Sequence, residues 1–259
     1  MNFDDVVARF TAEGSLIALD FDGTLAPIVV DPESSRPLPG AIEALADLAA
    51  AGAQIAIITG RDAETVVRLG GLVAVPSIVV AGLYGVQTWI GGTLSTPPVP
   101  AEIEALRARL PGAIAGGDPA LWIEDKGLSL VVHARRADDS TVALDQVRSR
   151  VAALAGDLDL EVHPGRDVLE LRVPGFDKGI ALRALVEKFS PRAVLFAGDD
   201  LGDLPAFAEI ARLRDAGLTA FAIGADSVEV PQLTESVGTV DLVVDGPHGV
   251  LALLRALAG

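Results

Sequence analysis

The chain has 259 residues, half of them apolar, with no cysteine and a net charge of −16 from 36 acidic and 20 basic side chains. Such a composition argues against global disorder, disulfides, thiolate metal sites and a cysteine nucleophile. It also argues against non-specific binding to nucleic-acid backbones or anionic membrane surfaces, which the charge repels.

The N-terminus, Met1-Asn2-Phe3-Asp4-Asp5, has no basic segment leading into an apolar one, so no signal peptide is expected. Together with the missing cysteines this fits a cytoplasmic protein. In chain order, Leu16–Leu19 reads as a buried strand and Ile42–Ala51 as a helix ended by Gly52. Ile55–Ile58 is a second apolar strand, with a helix starting near Asp62, and Ile78–Ala81 is a third. The apolar stretch from Leu72 to Val86 is broken by Pro76, Ser77, Gly82 and Gly85, so no membrane span is expected. Short, fully apolar strands alternating with helices predict a parallel sheet covered on both faces.

The pattern changes after the proline-rich connector Thr96–Pro100. A helix is expected over Ala101–Leu110. Leu121–Asp125 and Leu128–Arg135 then alternate apolar and polar residues around a hairpin turn at Lys126-Gly127. A helix fits Thr141–Ala155. Two further alternating strands, Asp159–His163 and Val168–Val173, flank a Pro164-Gly165 turn. From Asp177 the first pattern returns: a helix over Lys178–Phe189, the strand Val194–Ala197, a helix from about Leu204, the strands Ala220–Ile223 and Leu242–Val244, and a final helix over Val250–Ala258. The fold class expected is α/β: a doubly wound, Rossmann-like parallel sheet, residues 1–98 and 175–259, interrupted by an α+β domain over 99–174.

Ligands of open parallel sheets bind beyond the carboxyl ends of the strands. Those ends here carry Asp20-Phe21-Asp22-Gly23-Thr24, Thr59-Gly60-Arg61 and Asp199-Asp200-Leu201-Gly202-Asp203, and Lys178 opens the helix before the last of these strands. Asp20 and Asp22 alternate along an extended segment, which predicts side chains on one side of it. So many carboxylates call for a counter-charge; a hard divalent cation supplies one, and Mg²⁺ prefers a few carboxylates together with waters and phosphate oxygens. Each residue alone has a plainer reading: Asp203 as a helix cap, Thr59-Gly60 as an ordinary turn, Lys178 as a solvated first-turn lysine. Their joint occurrence favours phosphoryl chemistry.

Asp20-Phe21-Asp22-Gly23-Thr24-Leu25 resembles the first signature of the haloacid dehalogenase-like superfamily. Thr59, Lys178 and Asp199/Asp200/Asp203 follow in the order of its other three motifs. The extension Ala26-Pro27-Ile28, the insert segments Glu124–Leu130, His133-Ala134-Arg135 and Pro164-Gly165-Arg166, then Val168–Arg172 and Asp177-Lys178-Gly179, are similar to the trehalose-6-phosphate phosphatase family. The chain departs from that family at Gly202 and Leu204, where Thr and Glu are usual, and at Tyr84-Gly85 in place of His-Gly.

The resemblance implies a Mg²⁺-dependent phosphatase with a type IIB cap. Asp20 is then the nucleophile and Asp22 the general acid/base. Thr59 and Lys178 hold the phosphoryl group. Metal is held by Asp20, Asp22 and Asp199, with Asp200 and Asp203 nearby. Substrate contacts are expected from Gly23, Thr24, Arg61, Glu124, Lys126, His133, Arg135, Arg166 and Glu170. The expected partner is a small sugar phosphate, trehalose 6-phosphate first and another sugar or glycoside phosphate second, with no nucleic acid or membrane. A sugar-phosphate sensor without turnover is the rival from another class, which intact Asp20 and Asp22 oppose. The expected assembly is a monomer or weak homo-oligomer. Trp89 and Trp122 read as packing residues, and His163 and His248 as ordinary.

Overall fold

The structure is a computed structural model and describes residues 2–165, 167–226 and 240–259. The chain divides into two compact units, residues 1–96 with 176–259, and residues 97–175.

The first unit is built on an eight-stranded sheet. Its strands are β1 (Ser15–Leu19), β2 (Gln54–Ile58), β3 (Val79–Gly82), β4 (Gln87–Ile90), β5 (Thr93–Ser95), β10 (Ala193–Gly198), β11 (Thr219–Ala225) and β12 (Leu242–Val244). The spatial order is β12-β11-β10-β1-β2-β3-β4-β5. The strands from β12 to β3 are parallel; β4 and β5 add an antiparallel edge.

Both faces of the parallel part of this sheet are covered, which is why its central strands read as unbroken apolar runs. Ile17, Leu19, Ile55, Ile57, Leu195 and Phe221 point to one side, toward α2 (Ala41–Ala50), α3 (Ala63–Gly70) and α8 (Gly246–Ala258). Leu16, Ala18, Ala56, Ile58, Val194 and Phe196 point to the other, toward α6 (Lys178–Phe189) and α7 (Leu204–Asp215). Capping fixes where helices begin: the Asp62 carboxylate accepts from Thr65 N at 2.9 Å, and that of Asp177 from Ile180 N at 2.7 Å.

The second unit pairs a four-stranded antiparallel sheet, order β6-β7-β9-β8, with two helices. Its elements are α4 (Ala101–Ile114), β6 (Trp122–Asp125), β7 (Ser129–His133), α5 (Ser140–Asp157), β8 (Glu161–Gly165) and β9 (Val168–Arg172). Leu130, Val132, Leu169 and Leu171 share a core with Ile103, Leu106, Leu110, Val147 and Val151 of the helices. The alternate strand residues Glu124, Ser129, His133, Glu170 and Arg172 project from the other face, as the alternation predicts.

Several elements differ from the sequence reading. A short helix α1 (Phe3–Arg9) opens the chain, capped by Asn2. β4 and β5 form a hairpin around Gly91-Gly92, both left-handed, which the apolar-strand pattern does not mark. α4 continues through Pro111, which removes only one backbone donor, and α8 begins at Gly246 with Pro247 in its first turn. β8 runs through Pro164 and Gly165 instead of turning there, because an edge strand tolerates a residue without an N–H.

Candidate active site

The carboxyl ends of β1 and β10 lie side by side, and the Asp20 N–H continues their ladder by donating to the Ala197 carbonyl at 2.9 Å. This brings Asp20 together with Asp199 and Asp203. One oxygen from each lies within 4.8 Å of the others, and all three residues are buried.

Lys178, in the first turn of α6, enters the same cluster. Its ammonium lies 2.9 Å from Asp20 Oδ1 and 2.7 Å from Asp203 Oδ1, with a side chain only 4% exposed. Asp203 uses its other oxygen to accept from the N–H groups of Asp199 at 2.9 Å and Asp200 at 3.1 Å. It is therefore the brace that folds the segment after β10 back on itself. Asp200 is different: its side chain is half exposed and lies 4.0 Å from Lys178.

Three buried carboxylates against one ammonium leave an excess of negative charge. Burial pushes the pKa of Asp20 up to about 7 against the pull of Lys178, and burial with Asp203 and Asp200 pushes that of Asp199 up to about 7. Burial likewise raises Asp203 well above the ordinary range. Burial opposes the charge on Lys178, but Asp20, Asp203 and Asp200 together outweigh it and hold the lysine charged. A cluster of this kind is relieved by protons or by a cation. Its all-oxygen donors match Mg²⁺ or Ca²⁺ and offer nothing to softer metals.

Asp22 does not join the cluster. The chain turns at Phe21, whose carbonyl accepts from Leu25 N at 3.0 Å and Ala26 N at 2.8 Å, and Gly23 takes φ +79°. The Asp22 carboxylate is carried instead to Arg61, with Nε on Oδ2 at 2.5 Å and Nη2 on Oδ1 at 2.7 Å. Ser35 adds a donor to Oδ1 at 3.1 Å. The alternation of Asp20 and Asp22 thus does not put their carboxylates together, because the extended segment ends between them. Arg61 also donates to the Pro32 carbonyl at 2.8 Å.

Gly23 and Thr24 serve the loop itself. The Gly23 N–H donates to the Ala26 carbonyl at 2.7 Å, and the Thr24 hydroxyl to Asp199 Oδ1 at 3.2 Å. A Cβ on Gly23 would lie 2.0 Å from the Asp199 carboxylate, so glycine is required there on grounds of both space and φ. Thr59 is buried at the end of β2, its hydroxyl accepting from Arg61 N at 3.1 Å.

In the second unit, the polar sheet face is tied into pairs. Ser129 Oγ donates to Glu170 Oε1 at 2.7 Å, with Lys126 Nζ at 3.7 Å from the same oxygen. Glu124 lies 2.8 Å from His133 Nε2, and the contact holds the Glu124 carboxyl below the usual range. Trp122 stacks on His133 with ring centroids 4.0 Å apart, which adds a specific partner to the packing role expected of it. Arg135 lies beyond the end of β7 and is exposed. Arg166 lies outside the described residues.

Ser35 was not foreseen. It follows a 3-10 turn over Pro32–Ser34 with no pattern that marks it, and only the approach of that turn to Asp22 gives it a partner.

A family model described as trehalose-phosphatase matches residues 18–237. The trehalose-phosphate phosphatase of Mycobacterium leprae (strain TN) is 34% identical over 237 residues, covering 83% of this chain and 51% of that protein. The chain thus spans about half the length of the curated relatives it matches. Among solved structures, a trehalose-6-phosphate phosphatase related protein is 25% identical with a TM-score of 0.71, covering 94% of this chain and 96% of that one. The C-terminal domain of the Candida albicans trehalose-6-phosphate phosphatase shares the fold, with a TM-score of 0.75 at 21% identity over 100% of this chain and 97% of that one. With the family model spanning most of the sequence, including the three strand-end motifs and Lys178, this chain belongs to the trehalose-phosphatase family.

Proposed function

We propose that the chain is a Mg²⁺-dependent phosphatase that hydrolyses trehalose 6-phosphate to trehalose and phosphate. The observation that carries this reading is the buried Asp20 carboxylate, 2.9 Å from the Lys178 ammonium at the end of β1, in a chain of this family.

Asp20 attacks phosphorus, and the bond to the sugar oxygen breaks as the bond to Asp20 forms. Splitting one displacement into two through a carboxylate nucleophile lowers each barrier. Lys178 opposes the effect of burial on Asp20, favouring its charged form, and, with Thr59, binds the phosphoryl oxygens. Asp22 gives its proton to the departing sugar oxygen. It then takes one from the water that attacks the aspartyl-phosphate, releasing phosphate and restoring Asp20. Asp20 and Asp199, with Asp22 through its main-chain carbonyl, would hold the metal; Asp203, with both oxygens committed, braces them. Asp200 stands at the edge of this set. Bound Mg²⁺ supplies positive charge that offsets the repulsion between a carboxylate nucleophile and a phosphate. Gly23 and Thr24 shape the loop under the phosphate.

The insert is the specificity domain in this reading. Glu124, Lys126, His133, Arg135, Arg166 and Glu170 recognise sugar hydroxyls, which a charged sheet face is suited to do. A cytoplasmic location fits the cysteine-free composition.

The test is phosphate release with Mg²⁺ across trehalose 6-phosphate, sucrose 6-phosphate and glucose 6-phosphate, with Asp20→Asn as control. A kcat/KM far higher for trehalose 6-phosphate, abolished in Asp20→Asn, is the expected result. Equal, slow turnover of all three would keep the chemistry and overturn the substrate. Tight binding without turnover would make the chain a sensor.

A further inference from the structure

Three consecutive residues after β3 have a left-handed backbone: Leu83 at φ +48°, Tyr84 at +58° and Gly85 at +96°. Glycine takes this conformation freely; leucine and tyrosine rarely do. Such outliers persist only where the surrounding structure holds them, and they gather at functional sites.

The hydrogen bonds of this turn are directed at one short segment. The Leu83 N–H donates to the Arg61 carbonyl at 2.8 Å, and the Tyr84 N–H to the Thr59 carbonyl at 2.9 Å. The carbonyls on both sides of Gly60 are thus held from the same turn. The Tyr84 ring lies against Gly60 itself, where a Cβ would be 2.7 Å from Tyr84 Oη and 2.8 Å from Cζ. At its other end the turn rests on α6, since a Cβ on Gly85 would lie 2.9 Å from Ala181 Cβ, three residues beyond Lys178. The segment so clamped carries Arg61, whose guanidinium grips both oxygens of Asp22.

We propose that Tyr84 is a positioning residue for the Arg61–Asp22 pair: its ring and N–H fix Thr59-Gly60-Arg61, and the Arg61 fork in turn sets where the Asp22 carboxylate stands, one arm of the fork being given up when Asp22 carries the proton for the leaving group. The inference rests on the reading of Asp22 as the general acid. A ring pressed on Gly60 transmits position without touching the substrate, because the glycine at the contact has no side chain that could yield. Proton donation is sensitive to small displacements of the donor.

Leaving-group chemistry separates this role from a structural one. A sugar alkoxide must be protonated as its bond to phosphorus breaks; p-nitrophenolate leaves without a proton. Tyr84→Ala is expected to lower kcat/KM for a sugar phosphate about 10-fold, with a much smaller loss on p-nitrophenyl phosphate; kcat/KM ends with departure of the leaving group and so leaves out the later hydrolysis of the aspartyl-phosphate, which both substrates share. Tyr84→Phe keeps the ring over Gly60 and is expected to recover most of that loss. Should Tyr84→Ala fail to fold, Gly60→Ala displaces the ring while leaving the tyrosine in place and is expected to give the same selective defect. Equal losses on both substrates, or undiminished sugar-phosphate turnover in a folded Tyr84→Ala or Gly60→Ala, overturn the proposal. A wild-type chain that releases phosphate from neither substrate overturns the phosphatase reading and this inference with it.

Discussion

Arg61 holds Asp22 by a two-pronged ion pair, Nε to Oδ2 at 2.5 Å and Nη2 to Oδ1 at 2.7 Å, across 39 residues of sequence. The planar guanidinium fork matches a carboxylate in a way that a lysine ammonium does not. On the proposed mechanism, with Asp22 as proton donor and Lys178 and Thr59 on the phosphate, Arg61→Lys is expected to lower kcat about 10-fold with little change in KM, because it loosens Asp22 alone. Steady-state kinetics on the sugar phosphate check this. A rise in KM at unchanged kcat would put Arg61 on the substrate phosphate instead.

Lys178 is the positive charge buried among Asp20, Asp199 and Asp203. Removing one partner of a buried pair leaves the others uncompensated, at a cost of about 3–5 kcal/mol. Lys178→Met is expected to destabilise the chain by that amount in denaturant unfolding without metal and to abolish turnover. Added Mg²⁺ should restore part of the stability but not the activity. Unchanged stability would mean that the carboxylates already share protons at the measuring pH.

Asp20 and Asp199 have pKa values raised from 3.8 to about 7 in the folded chain. Between those values the native state binds more protons than the unfolded one, so stability falls as pH rises. Metal-free protein should lose stability from about pH 4 to pH 7 and change little through these groups above that. A cation replaces the lost protons, so the rise in Tm on adding Mg²⁺ should be small at pH 5 and large at pH 8. Thermal melts with and without chelator test the sign; a larger metal effect at pH 5 would contradict it.

Glu170 accepts from Ser129 at 2.7 Å and lies 3.7 Å from Lys126 on the polar face of the insert's sheet. Hydrogen bonds to a charged group are worth about 1.5–3 kcal/mol. If Glu170 reads the sugar, Glu170→Gln should raise KM for trehalose 6-phosphate about 10- to 100-fold. The loss on p-nitrophenyl phosphate, which has no sugar, should be much smaller. Equal losses would assign Glu170 to the stability of the insert.

Local pattern was enough to read the strands that matter most. Leu16–Leu19, Ile55–Ile58 and Val194–Ala197 are short apolar runs because both faces of each are covered, and the polar residues that end them mark the site. Turn chemistry and capping, which act over a few residues, were legible too, as at Lys126-Gly127 and Asp62. The Gly91-Gly92 turn between β4 and β5 is an equally local signal.

Side-chain pairing is another matter, because it depends on which strand ends become neighbours. With β1 between β10 and β2, Thr24 meets Asp199 across 175 residues, and the end of β2 brings Arg61 to Asp22. The period of an extended segment predicted Asp20 and Asp22 on one side; the hydrogen bonds of Leu25 and Ala26 to the Phe21 carbonyl end that segment and send the two carboxylates to different partners. Periodicity encodes how a backbone faces its core, whereas the charge on a carboxylate answers to whatever the packing brings within a few ångströms of it.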